Sequence, residues 1–406
     1  MKKYITLTTV TVFLLTTLSI YYIHSVLVEN DRTQFYIEQT GGDKWLIKDI
    51  NVSGSYYTGN RDETITISDE ETSYISDLPF FEKIDYEDLG SSSKQYQKLK
   101  KDYPSFMRGK HNEASLFKDD SQVIYATIKY SHSLKGEMND FRFSINTLNK
   151  KDKQTNSYTI NVPNQKNINQ MEVYDVQYLY DEVRIVTANQ QASQYLTEVH
   201  QYTINLKKER ITDDRIIFTQ NETTADYYST MSITERHALQ PSNIVMFQTE
   251  ESQVNEEGET TQSKHKIYIY HYEDAKLSEL ILPAELQTQM VEDISYMYDK
   301  EYLYACLTIY DEPQTTVTMY KIDWKTGKTV DTINLTTNDN YNIEWVTLNE
   351  ESIQLFSRDT EDHPIFAIYS LEDGKLIFEG RVEVKNPDSV DFIYFSDVYI
   401  YGISGI

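Results

Sequence analysis

Short runs of alternating apolar and polar residues, each broken by a polar pair and then resumed, recur along most of this chain and leave it few folds to choose from. Val176–Val186, Ile294–Tyr304, Trp345–Phe356 and Phe392–Tyr401 all read as strand, acidic or polar turn, strand. A period of two sends successive side chains to opposite faces of a sheet, whereas a helix needs a period of 3.6. Ile267–Tyr272 places Tyr268, Tyr270 and Tyr272 on one such face. The chain holds 34 Tyr, and aromatic and β-branched side chains pack well on a pleated surface.

A second pattern completes each unit. Met319–Val330 and Ala367–Phe378 read as strand, glycine turn, strand. Tyr202–Glu209, Tyr270–Leu277 and Phe143–Asn149 are weaker copies. Four strands repeated about every 45–60 residues are the mark of an all-β fold of the β-propeller type, in which no blade buries its faces alone. Five full units and a half unit follow Leu116, which predicts six four-stranded blades, with seven as the second choice. The C-terminal half unit then needs strands from the other end of the chain. Lys44–Ile50, Val52–Tyr57 and Thr64–Ile67 are the candidates.

The Asp-x-x-Thr-Gly-Lys turn at Asp323–Lys328 resembles the turns of quinoprotein-type (PQQ-type) propeller repeats; the resemblance covers two units well, Asp323–Val330 and Glu372–Ile377, and the rest loosely. The resemblance implies a blade turn. Quinoprotein enzymes also carry cofactor and metal ligands in a central channel, and no such set stands out here. No cofactor is expected.

Met1-Lys2-Lys3 precedes a stretch, 4–28, without Asp, Glu, Lys or Arg. As a helix it is long enough for a hydrocarbon core of about 30 Å. Its threonines can bond back to helix carbonyls, and Tyr21 and Tyr22 suit an interface. A cleaved signal peptide would want small residues before the cut, which Ile23-His24-Ser25 does not supply. The expected layout is a transmembrane anchor over 1–28, a linker over 29–43, and an extracytoplasmic propeller over 44–406. Lysines before the span place the N-terminus in the cytoplasm of a single-pass cell-membrane protein.

A net charge of −26 argues against a nucleic-acid partner, because phosphates are repelled. The sole cysteine, Cys306, excludes an intramolecular disulfide and a cysteine-rich zinc site. The eight histidines show no metal-binding spacing, and the phosphate-loop, dinucleotide and nucleophile-elbow motifs are absent. Paired acids such as Asp119-Asp120, Asp181-Glu182 and Asp213-Asp214 read as solvated hairpin tips, and Glu250–Lys264 as a long mobile hairpin loop.

One basic concentration interrupts the acidic background. Near 91–111, Ser91-Ser92-Ser93 can cap a helix over Lys94–Asp102 that Pro104 then ends. Lys94, Lys98 and Lys101 fall at i, i+4 and i+7, along one face. They are the candidate partner-binding residues, for an acidic protein or anionic headgroups. The alternative is a solvated helix that touches the protein's own acids. No catalytic, cofactor or metal residues are nominated. The function expected is a non-enzymatic binding, sensory or scaffold propeller on a bacterial surface. A carbohydrate-active hydrolase or lyase with channel carboxylates is the alternative, and a quinone-dependent oxidoreductase a third reading.

Overall fold

The computed structural model describes residues 9–17, 19, 33–43, 45–57, 62–78, 83, 93–133, 137–191, 196–220, 227–236, 239–255, 260–287, 294–311, 314–335, 341–349, 351–385 and 395–404. The chain divides into two compact units, one of residues 1–91, 356–367 and 376–406, the other of residues 92–355 and 368–375.

Alternation sets the strands of the first unit: β1 (Phe35–Gly42), β2 (Asn51–Tyr57), β3 (Asp62–Ile67) and β4 (Thr72–Tyr74). Phe35 and Ile37 are buried while Glu38 is exposed. Thr72 ties β4 to β1, accepting from Phe35 N at 2.7 Å and donating to Phe35 O at 2.8 Å.

The second unit opens with β5 (Leu116–Lys118), β6 (Gln122–His132), β7 (Met138–Asn149) and β8 (Thr155–Asn161), paired in that order. β9 (Ile168–Leu179), β10 (Glu182–Gln191), β11 (Thr197–Asn205) and β12 (Arg210–Thr219) form the next sheet, again in chain order. β13 (Tyr227–Ile233) then pairs with β15 (Ile244–Val254), which continues to β16 (Thr260–His271) and β17 (Lys276–Leu280). The short β14 (Glu235–Arg236) lies parallel to β18 (Ile294–Tyr298), which leads to β19 (Tyr302–Asp311), β20 (Gln314–Asp323) and β21 (Lys328–Leu335). A further sheet runs β22 (Asn342–Leu348), β23 (Ser352–Arg358), β24 (Pro364–Ser370), β25 (Leu376–Val384), with β1 added beyond β25. The sixth is completed by β26 (Val398–Ser404), which pairs antiparallel with β2 from Asn51↔Ser404 to Tyr56↔Val398. The fold is all-β, and among the described residues six sheets, each built on four antiparallel strands, are consistent with the blades of a propeller.

The turns show why the repeats are legible. Between β9 and β10, Tyr180 (φ 54) and Asp181 (φ 62) are both left-handed, the backbone of a two-residue hairpin whose twist matches its strands. Asp323 Oδ1 accepts from Lys325 N at 2.8 Å and Thr326 N at 3.2 Å, and Gly327 takes φ 69. That explains the Asp-x-x-Thr-Gly-Lys run as turn chemistry.

Sheet faces bury apolar rows against each other. Ile124, Phe143, Ile145, Val176, Val183, Ile185 and Tyr202 share one core between the β5–β8 and β9–β12 sheets. Met246, Ile267, Ile269, Leu303, Ala305 and Ile322 form another between the next two.

Four expectations need correction or restriction. Residues 35–42, assigned to a linker, form β1, because Phe35 and Ile37 bury one face of the segment against its own unit. Of the candidate Lys44–Ile50, the described residues 45–50 form no strand; Leu46–Asp49 is a 3-10 turn, and β2 receives β26. Glu250–Lys264 is mostly ladder, since Glu250↔His265 through Gln253↔Gln262 are paired and only 256–259 lie outside the described residues. Alternation there is carried by Thr, Ser and Gln, which are as compatible with a strand as with a loop. The transmembrane helix is not supported either. Residues 9–17 are helical, with Thr16 and Thr17 donating to Val12 O and Phe13 O at 2.9 Å, but no helix among the described residues is long and apolar enough to cross a membrane. The rest of 4–28, apart from residue 19, lies outside the described residues.

Candidate functional site

A polar cleft in the second unit has a volume of 590 Å³ and opens over β11 and β12 beside the 163–168 turn. On β11, Glu198, His200 and Tyr202 stand at i, i+2 and i+4, so one strand face presents all three. Asp214 and Ile216 come from β12 and Gln191 from the end of β10. His200 Nδ1 lies 2.9 Å from Asp214 Oδ1, and Nε2 lies 3.3 Å from Glu198 Oε2. Glu198 Oε2 also accepts from Gln191 Nε2 at 2.6 Å. The imidazole stacks on Tyr202 with centroids 5.5 Å apart and 12° between planes. Below it Asn189 donates to the Tyr202 hydroxyl at 3.0 Å, and Thr187 donates to Asn189 Oδ1 at 2.7 Å.

Electrostatics follow from this geometry. Burial opposes a charge on His200, but the hydrogen bonds and charges of Asp214 and Glu198 outweigh it and raise its pKa above the ordinary value. Burial, then the nearby Asp214 charge, push the Tyr202 hydroxyl far up, so it stays protonated.

A second polar cluster is almost sealed. Asp175 on β9 accepts from Arg236 NH1 at 3.0 Å, from the Tyr272 hydroxyl, and from Gln177 Nε2 at 3.1 and 3.0 Å. Gln177 Oε1 in turn accepts from Ser242 N at 2.9 Å. A smaller cleft of 350 Å³, lined by Arg236, Tyr298 and Asp299 among others, opens beside it. Asp175 is the kind of buried carboxylate that channel catalysis would need, yet its oxygens are held by three side chains.

The nominated lysines sit where the sequence put them. Ser93 caps the helix Lys94–Asp102, accepting from Tyr96 N at 3.2 Å. Tyr96 and Leu99 are buried with Phe106, Met107, Leu116 and Val123, which docks the helix on the β5–β6 end of the unit. Lys98 and Lys101 are exposed and, among the described residues, have no acidic partner. The side chain of Lys94 lies outside the described residues. Lys100 rides over the Tyr96 ring at 5.2 Å, and Lys110 is drawn onto Phe106 and Tyr125. The basic segment is therefore divided between inward packing and a free outer face. Among the described residues no three His, Cys, Asp or Glu are placed to hold a metal ion. Cys306 is buried, which pushes its thiol up and away from reactivity.

Sequence reasoning missed the His200 cleft. The alternation Glu198-His200-Tyr202 was a visible signal, but Asp214 comes from a different strand, and only the register Tyr202↔Asp214 brings it beside them.

No family model matches the sequence, and no curated protein matches it. Solved structures to which the chain is similar include TolB from Acinetobacter baumannii, at 10% identity and a TM-score of 0.32, covering 84% of this chain and 65% of that one. An apocarotenoid oxygenase variant from Synechocystis follows at 9% identity and 0.40, covering 86% and 93%. A polysaccharide lyase, an ulvan lyase, has 9% identity and 0.34, covering 91% and 96%. These neighbours are β-propeller-like. The chain spans about two-thirds of the TolB length, 65%. At these scores the likenesses carry no argument about activity. The quinoprotein-type resemblance is not borne out by a family match.

Proposed function

We propose that the chain is a membrane-tethered, extracytoplasmic propeller of six blades that binds a ligand or partner without turning it over. The six sheets supply the blade content. Lys2 and Lys3 ahead of an uncharged stretch support the tether and its orientation. One observation carries the binding reading. Each His200 nitrogen is spent on a carboxylate, and the Tyr202 phenol is held protonated. Neither the imidazole nor the phenol therefore offers a free lone pair to a substrate proton. What the cleft offers instead is a polar, preorganised surface.

The alternative, a carbohydrate-active hydrolase or lyase, would need Asp175 to leave Arg236, Tyr272 and Gln177, or Glu198 and Asp214 to act from beside His200. Incubating the purified full chain with neutral, acidic and amino oligosaccharides tests the choice. Binding without products is expected. Product formation lost in His200→Gln would overturn it. Protease added to intact cells should remove the mass beyond residue 29, and full protection would reverse the proposed orientation.

A further inference from the structure

We propose that the His200 cleft takes an organic ammonium that also carries hydroxyl groups, the chemistry of an amino sugar. The proposal rests on the binding reading above and names the ligand class for that cleft. Its walls hold Glu198, Asp214 and His200, and among the described residues neither Lys nor Arg lines them. Two carboxylates against at most one imidazolium keep the cleft negative in either state of the histidine. Lys166, in the neighbouring turn, is exposed and does not line it. Arg215 is occupied by Asp213 at the adjacent, opposite-facing positions of β12.

The unused hydrogen-bonding capacity defines the ligand. His200 engages Glu198 Oε2 and Asp214 Oδ1. Glu198 Oε1 and Asp214 Oδ2 accept from no group among the described residues. The two side chains keep 19% and 18% exposure, enough for a ligand to reach them. Tyr202 is fully buried beneath the floor, where its oxygen accepts from Asn189, and it holds the imidazole in place by stacking. An ammonium satisfies the two carboxylate oxygens, and the side-chain amides of Asn164, Asn167 and Gln191 in the lining meet hydroxyls. Ile216, 53% exposed, and Leu196 supply an apolar wall for a ring face. A cleft of 590 Å³ is within the usual ligand-pocket range of about 300–1,000 Å³.

The histidine makes the site sensitive to pH. The titratable groups facing it are Glu198 and Tyr202 on its own strand and Asp214 on β12; β10 and the 163–168 turn contribute amides. A protonated His200 competes with an ammonium for the same carboxylates. Cation affinity therefore rises as pH climbs through the histidine's titration.

The test uses the purified full chain with methyl-labelled Ile and Leu. 6-Amino-6-deoxyglucose and glucose differ by one ammonium in place of a hydroxyl. Saturable shifts of Ile216 and Leu196 methyls with the amino sugar are expected, with binding at least about ten-fold tighter than for glucose. Glu198→Gln and Asp214→Asn should each remove most of that preference while leaving the methyl spectrum folded. Affinity should tighten between about pH 6 and about pH 8, where this alkylamine stays charged. Equal affinity for glucose, or no shift with either sugar, overturns the ammonium assignment and leaves the binding reading standing. His200-dependent conversion of an oligosaccharide would sink the binding reading instead.

Discussion

Truncating Arg236 should be among the most damaging single changes in the second unit. Its side chain is 15% exposed and its guanidinium faces an Asp175 side chain that is 6% exposed, at 3.0 Å. Two unit charges near 4 Å at an effective dielectric of about 20 attract by about 4 kcal/mol, and desolvation of both offsets much of that. Arg236→Met leaves Asp175 buried with only the Tyr272 hydroxyl and the Gln177 amide, so the uncompensated carboxylate sets the cost at about 3–5 kcal/mol. Asp175→Asn keeps the shape and takes the facing carboxylate charge from the arginine in turn. Because each single change leaves a buried charge and the double change leaves none, the two should not add. A coupling of about 2 kcal/mol is expected in the cycle with Asp175→Asn/Arg236→Met. Equilibrium urea unfolding, followed by tryptophan fluorescence and circular dichroism together, measures it. A loss under about 1 kcal/mol for Arg236→Met, or additivity within about 0.5 kcal/mol, would refute the picture of a sealed ion pair.

Three further outcomes are expected. Lys98→Gln with Lys101→Gln should change stability by less than about 0.5 kcal/mol, because neither lysine has a partner among the described residues, while weakening recruitment to an anionic partner or vesicle in a salt-sensitive way. Deleting 396–406 should lower the melting temperature of the first unit sharply. It uncovers β2, removes the buried Val398, Ile400 and Ile403, and takes Val398 O from Arg358 NH2, which donates to it at 2.7 Å. Finally, His200 has a raised folded-state pKa, so its stabilising share is full below about pH 6.5 and fades as pH rises through the folded value. The gap in melting temperature between the native chain and His200→Gln should therefore narrow on going alkaline; a gap that widens would reverse the sign.

What the sequence by itself determined is the local part of the fold. Period-two runs, turn pairs such as Tyr180-Asp181, and the Asp323–Gly327 turn act through neighbours a few residues apart, so strands and hairpins could be read directly. The cap at Ser93 and the helix behind it were legible for the same reason. That β26 would find an N-terminal partner also followed, because an unfinished sheet leaves unpaired backbone donors and acceptors. The pairing to β2 in particular, and the capture of 35–42 by β25, depended on which edges met. Those choices rest on burial of Phe35 and Ile37 and not on any local signal. The cleft was decided by tertiary structure alone. Glu198, His200 and Tyr202 share a face by simple alternation, but their chemistry changes only when the β11–β12 register sets Asp214 2.9 Å from the imidazole. Asp175 and Arg236 are 61 positions apart and meet only across packed sheets. Hydrogen bonds and charges reach a few ångströms, while the chain separation between partners is set by folding, so the polar sites lie beyond what residue order can show.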